Sequence, residues 1–257
     1  MNLDDDYANG AYISGAADYP DTWARLAAEF RGTSLCECDL PYGEGPRERF
    51  DLFHPPRLAR GVVVFVHGGY WLRFDKSYWS HLAAGPLARG WAVAIPSYDL
   101  CPDVRISRIG DQIAAAIGVV AQRVPGPIRL TGHSAGGQLV ARMTAPRFGA
   151  QWQARLARVV PISPVADLAP LVQTSMNVDL KIDDAEAQTE SPVHLPAPKL
   201  PVTVWVGADE RPAFLAQARA LSAAWACDLK VVPDQHHFNV IAGLADADSP
   251  LTRAVLA

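Results

Sequence analysis

One short stretch restricts this chain more than any other. Gly132-His133-Ser134-Ala135-Gly136 is entered from the apolar run Pro127-Ile128-Arg129-Leu130-Thr131 and left by the helix-like run Gln138-Leu139-Val140-Ala141-Arg142-Met143. A strand that turns this sharply into a helix crowds its central residue, and glycine on both sides removes the Cβ atoms that would collide there. Ser134 is thereby lifted above the sheet. The amide of Ala135 opens the following helix and points, with the positive end of the helix dipole, toward where a carbonyl oxygen would become negative. The pattern points to a serine nucleophile. A glycine-rich loop with a surface serine is the plainer alternative, and it leaves the flanking strand and helix unexplained.

One amide is a thin cradle for a developing oxyanion, so acyl transfer implies a second glycine-rich turn after an earlier strand. Val62-Val63-Val64-Phe65-Val66 reads as a strand buried on both faces, and it ends in His67-Gly68-Gly69-Tyr70-Trp71. This ending resembles the HGG-type turn of lipases and esterases. The amides of Gly69 and Tyr70 are expected to join that of Ala135 in an oxyanion hole. His67 is expected to brace the turn by hydrogen bonds, with general-base work as its alternative. Tyr70 and Trp71 either line a pocket or pack, and at least one is expected in the pocket.

A serine hydroxyl needs a base, and the base needs an acid that fixes its tautomer. In chain order the acid precedes the histidine. The late strand-like run Val202-Thr203-Val204-Trp205-Val206 ends in Gly207-Ala208-Asp209-Glu210-Arg211-Pro212, where two carboxylates compete. Glu210, three residues after the strand-ending glycine, has the spacing usual in fold relatives. Asp209 is the alternative acid, and the residue not chosen is expected to be solvated or paired with Arg211. Beyond Leu229-Lys230-Val231-Val232-Pro233 lies Asp234-Gln235-His236-His237-Phe238-Asn239, which holds every histidine downstream of the acid. His237 is the expected base, with Phe238 packed behind its ring and His236 as a polar neighbour. A metal site on the histidine pair finds no third ligand at suitable spacing, and adjacent residues do not share a helix face. His54, His81 and His194 read as surface or packing residues.

Along the chain, helical spacing around Trp23 to Phe30 gives way to strand-like segments at Ser34 to Leu40 and Arg49 to Phe53, an expected antiparallel hairpin at a sheet edge. From Gly61 onward apolar strands at Val62 to Val66, Trp91 to Pro96, Ile128 to Thr131, Val159 to Ile162, Val202 to Val206 and Leu229 to Val232 alternate with helices. The expected class is α/β, with a mostly parallel sheet flanked by helices. A length of 257 residues lies near the ceiling for one core, so residues 1–257 are expected as one domain. Residues 164–201, spaced by prolines and without a period, read as a cap or substrate-facing insertion.

Composition excludes several partners. A net charge of -4 without a Lys/Arg cluster argues against nucleic acid and anionic membranes. The start Met1-Asn2-Leu3-Asp4-Asp5-Asp6 lacks the features of a secretory signal and reads as a solvated segment. Cys36, Cys38, Cys101 and Cys227 read as reduced thiols of a cytoplasmic protein, since Cys36-Glu37-Cys38 is too short for a CxxC motif. No dinucleotide or phosphate-loop motif occurs, and no cofactor or metal is expected. A homodimer stays open.

Four stretches together resemble α/β-hydrolases of the esterase and lipase type, and within them the kynurenine formamidase (arylformamidase) group. They are His67-Gly68-Gly69-Tyr70-Trp71, Gly132-His133-Ser134-Ala135-Gly136-Gly137, Ser163-Pro164-Val165-Ala166-Asp167-Leu168-Ala169-Pro170-Leu171 with Thr174-Ser175-Met176-Asn177, and His237-Phe238. The resemblance implies an α/β-hydrolase fold and hydrolysis of a small acyl amide or ester, foremost the formamide of N-formylkynurenine. Relatives commonly carry aspartate where this chain offers Glu210. Trp71, Tyr70 and residues 164–201 are expected to bracket an aromatic amine, and Asn177 either contacts substrate or stabilises its loop. A broad short-chain carboxylesterase would use the same machinery. A non-catalytic binding protein on this scaffold would normally lose the serine or histidine.

Overall fold

The computed structural model describes residues 3–149 and 151–257; Met1 and Asn2 of the acidic start lie outside them. The chain opens with α1 (Leu3–Asp6) and α2 (Tyr19–Thr33), then enters β1 (Cys36–Pro41) and β2 (Arg49–Phe53). There follow β3 (Val62–Val66), α3 (Ala84–Ala88), β4 (Ala92–Pro96), α4 (Ile106–Arg123), β5 (Ile128–His133), α5 (Ala135–Arg142) and β6 (Leu156–Ile162). The last part holds α6 (Asn177–Leu180), α7 (Asp184–Glu190), β7 (Thr203–Gly207), α8 (Pro212–Trp225), β8 (Asp228–Val232) and α9 (Pro250–Leu256).

The eight strands form one sheet in the order β1-β2-β4-β3-β5-β6-β7-β8. β2 pairs antiparallel with both β1 and β4, and from β4 through β3 to β8 every pairing is parallel. The hairpin at the edge and the α/β alternation agree with the sequence reading. Side-chain alternation builds the two cores. Val62, Val64 and Val66 face one side with Ile109, Ile113 and Ile117 of α4, Leu139 of α5 and Phe214 of α8. Val63 and Phe65 face the other with Trp23 of α2 and Leu251 and Val255 of α9. In α4 the buried residues Ile106, Ile109, Ile113, Ile117 and Val120 recur at three or four positions, a stripe that faces the sheet.

Parallel strands put their carboxyl ends on one edge, and loops that leave this edge share a crevice. The turns after β3, β5, β6, β7 and β8 therefore converge. Residues 164–201 pack mostly to one side: Glu186 accepts from Arg105, just ahead of α4, at 2.8 and 3.0 Å, and Glu190 from Arg142 of α5 at 3.0 Å. Only Ser175 and Met176 of that segment reach the crevice. The acidic start is tied down instead of solvated. Asp4 accepts from the Ser175 amide at 2.6 Å, Asp5 pairs with Arg211 at 2.9 Å, and Tyr7 is buried. No helix among the described residues is long and apolar enough to cross a membrane.

Candidate active site

Ser134 sits at φ 57° and ψ −116°, a conformation rarely open to a residue with a side chain. The glycines flanking it are required by contact as much as by the turn. A Cβ on Gly132 would lie 2.3 Å from the Gly136 carbonyl, and one on Gly136 would lie 2.0 Å from that of Val66. The Ser134 amide donates to Ile162 at 2.8 Å, and its carbonyl accepts from Gln138 at 3.1 Å. The turn is thus stitched between β6 and α5. Ala135 is the first residue of α5, so its amide has no partner within the helix.

Opposite it, residues 67–71 bend through consecutive left-handed positions, Gly69 at φ 111°, Tyr70 at 53° and Trp71 at 57°. The Gly69 carbonyl accepts from Leu72 at 3.0 Å and Arg73 at 3.1 Å, whereas the Gly69 and Tyr70 amides donate to no backbone carbonyl among the described residues. His67 is wholly buried. Its Nδ1 lies 2.8 Å from the Gly68 carbonyl, and its ring stacks on Tyr98 with centroids 4.3 Å apart. Burial pushes its pKa down to about 4, so the neutral ring donates from Nδ1. This is a bracing geometry.

The two carboxylates part company. Glu210 is buried, and its Oε2 lies 2.6 Å from His237 Nδ1. Its Oε1 accepts from the Gly207 amide at 2.9 Å and from the Ser163 hydroxyl. Asp209 is exposed, and Arg211 turns away from it to Asp5 and to the face of Tyr12, 3.6 Å from the ring centre. Of the two expectations for the spare carboxylate the solvated one holds, and Arg211 pairs with the N-terminal segment. Around His237, Phe214 of α8 lies closest at 4.3 Å between ring centres, followed by His133 at 4.5 Å and Phe238 at 6.2 Å. The packing that Phe238 was expected to supply comes mainly from Phe214. Burial, and then the neighbouring His237, hold the His133 pKa well below its ordinary value. His236 faces the other way, its Nε2 3.2 Å from the Tyr19 hydroxyl.

A cavity of about 690 Å³ opens over these groups. Ser134, His237, Gly69 and Tyr70 line it together with Trp23, Phe74, Trp79, Phe238 and Met176. Ser134 and His237 share its wall without a hydrogen bond between them among the described residues; such contacts often tighten only with substrate present. Two expected substrate contacts lie elsewhere. Trp71 is fully buried in the core beside α4 and α5, because the left-handed backbone at 70 and 71 turns its indole under the sheet edge. Asn177 is spent on its own loop, donating to Val172 and Ile182 and accepting from the Ile182 amide at 2.7 Å.

Four contributors escaped the sequence reading. Ser163 was visible only as part of a motif. Its contact with Glu210 depends on φ 47° at the end of β6. Phe214 could have been found from the apolar spacing of α8, but its place against His237 is a tertiary fact. Tyr7 and Asn9 form cavity wall from a segment without periodicity.

An eight-stranded, mostly parallel sheet with a serine at the strand-to-helix turn above a glycine-rich loop is the architecture of an α/β-hydrolase. A family profile described as the alpha/beta hydrolase fold matches residues 63–197. Kynurenine formamidase of Salmo salar is 30% identical over 246 residues, spanning 88% of this chain and 83% of that protein. The chain belongs to the alpha/beta hydrolase family and, within it, resembles the kynurenine formamidases; it is a hydrolase of the formamidase or esterase type. A crystal structure of a provisionally assigned thioesterase from Silicibacter sp. TM1040 shares 54% identity over 100% of both chains, with a TM-score of 0.98. Esterase B of Lactobacillus rhamnosis, at 21% identity and a TM-score of 0.68 over 92% of this chain and 90% of that one, shares the fold.

Proposed function

We propose that this protein is a serine hydrolase that cleaves the formamide of an aryl amine, N-formylkynurenine foremost, through a formyl-enzyme. The observation that carries the reading is the 2.6 Å contact between buried Glu210 and His237, on the wall of the cavity that also holds Ser134. Glu210 fixes the imidazole with Nδ1 protonated, so that Nε2 is the free base. His237 takes the Ser134 proton as the hydroxyl oxygen attacks the formyl carbon. The amides of Gly69, Tyr70 and Ala135 hold the oxyanion, each such donor contributing about 3–4 kcal/mol in comparable sites. The imidazolium returns its proton to the leaving nitrogen, the C–N bond breaks, and an aryl amine departs. Water then attacks the formyl ester with His237 again as base, and formate leaves.

The aromatic lining of the cavity suits an aryl leaving group. An ester or thioester would meet the same groups, and the resemblance to the Silicibacter protein favours including a thioester among the substrates tried. Steady-state kcat/KM for N-formylkynurenine, 4-nitrophenyl acetate and an acyl thioester, in the parent and in Ser134→Ala, decides between them. The expected result is preference for the formamide and loss of all three activities in the variant. Turnover of 4-nitrophenyl acetate by Ser134→Ala at the parental rate contradicts the reading.

A further inference from the structure

We infer that Ser163 is a positioning residue of this site, its hydroxyl setting where the Glu210 carboxylate stands and, through it, how the His237 ring is held; the inference rests on the hydrolase reading above. Ser163 is wholly buried, and its hydroxyl donates to Glu210 Oε1. The same oxygen accepts from the Gly207 amide at 2.9 Å, which leaves Oε2 for His237 Nδ1 at 2.6 Å. The Gly207 amide belongs to the turn that carries Glu210, and His237 is the ring to be held, so Ser163 supplies the anchor from outside. Hydrogen bonds to an ionised group are the strong ones, and a carboxylate pinned at one oxygen directs the other.

Ser163 also stands where nucleophile and acid can be linked. In the sheet β6 lies between β5, which ends at the Ser134 turn, and β7, which ends at the Glu210 turn. The Ile162 carbonyl accepts from the Ser134 amide at 2.8 Å, and the Val165 amide donates to the Ser134 carbonyl at 3.4 Å. Between these two, the Ser163 amide donates to Trp205 of β7 at 2.6 Å while its hydroxyl crosses to Glu210. Residues 162–165 thus hold the nucleophile's turn on one side and the acid's loop on the other.

The backbone supports the same assignment. Ser163 has φ 47°, in the left-handed region, and it precedes Pro164, which restricts it further. A residue with a side chain persists in such a conformation where its surroundings over-determine it, and the contact that a glycine could not supply here is the hydroxyl's. A carboxylate free to swing would cost the imidazole its fixed tautomer and angle, a loss felt in the chemical step and not in substrate binding.

Ser163→Gly suits φ 47° and removes the hydroxyl. Its kcat on 4-nitrophenyl acetate is expected to fall about tenfold at unchanged KM, the scale of one hydrogen bond to a charged group. In a Glu210→Ala background the same substitution is expected to change kcat by no more than about twofold, since the group it acts through is gone. Ser163→Ala, which keeps Cβ and drops only the oxygen, should repeat both results. The far-downfield proton NMR signal of the His237 Nδ1–H, assigned by its absence in His237→Ala, should shift in either Ser163 variant. Equal losses in the parent and Glu210→Ala backgrounds, the signature of a structural role, overturn the inference, and so does an unchanged kcat with an unmoved signal. If the parent turns over neither 4-nitrophenyl acetate nor N-formylkynurenine while the signal still shifts, the hydrolase reading fails and the positioning by Ser163 stands.

Discussion

At the scale of single residues, Glu210 and Asp209 are neighbours with the same chemistry and different surroundings. Glu210 has three donors around its carboxylate, the Gly207 amide, the Ser163 hydroxyl and the His237 ring, and Asp209 faces solvent. Replacing the first should cost the imidazole its tautomer. We expect Glu210→Gln to lower kcat/KM by about 10⁴-fold, the scale seen when a triad acid is amidated, and Asp209→Asn to change it by no more than about twofold. Steady-state assays on one aryl substrate, with circular dichroism to confirm folding, check both. The spacing from the strand-ending Gly207 made Glu210 legible in the sequence. Ser163 was not, because nothing in a residue string announces a left-handed serine that turns its hydroxyl toward a carboxylate 47 residues on.

At the scale of elements, the serine turn works because α5 starts almost in contact with β3. Gly136→Ala sets a methyl group 2.0 Å from the Val66 carbonyl, which a rigid central strand does not yield. The variant is expected to lose about 3 kcal/mol of stability, read as a lowered denaturant midpoint at unchanged m-value, and activity along with it. Elements with a clear period were legible: the apolar run of β3, the stripe of α4 and the strand and helix around Ser134 all stand where the sequence put them. The cover of the cavity was not. It was sought in residues 164–201, whereas the N-terminal segment forms much of the wall, through contacts such as Asp5 with Arg211 and Tyr7 with Gln217 that join positions over 200 residues apart. Short 3₁₀ turns held by such contacts leave no local pattern to read.

At the scale of the whole molecule, the parallel sheet gathers its loop ends on one edge and leaves His67 and His133 there dry. His67 has its pKa lowered from 6.5 to about 4 by burial, and burial, then the neighbouring His237, holds His133 well below the same ordinary value. A histidine kept neutral in the fold but free to protonate when unfolded contributes stability above pH 6.5, and this is lost as pH falls below that value. His67 alone should remove about 3 kcal/mol between pH 6.5 and 4, and His133 acts in the same direction. Urea melts from pH 7.5 to 4.5 should show unfolding free energy falling steadily below pH 6.5, and His67→Gln should flatten part of that slope; a flat profile would show these rings to be protonated in the fold.

The proposed mechanism requires that Ser134, acting with His237 and Glu210, carry the one uniquely reactive hydroxyl among the serines. Treatment with a fluorophosphonate, followed by peptide mass spectrometry, tests this directly. The account predicts a single adduct on Ser134, formed at the parental rate in Asp209→Asn and lost in His237→Ala. An adduct on another residue, or labelling of Ser134 that persists at full rate without His237, would contradict it.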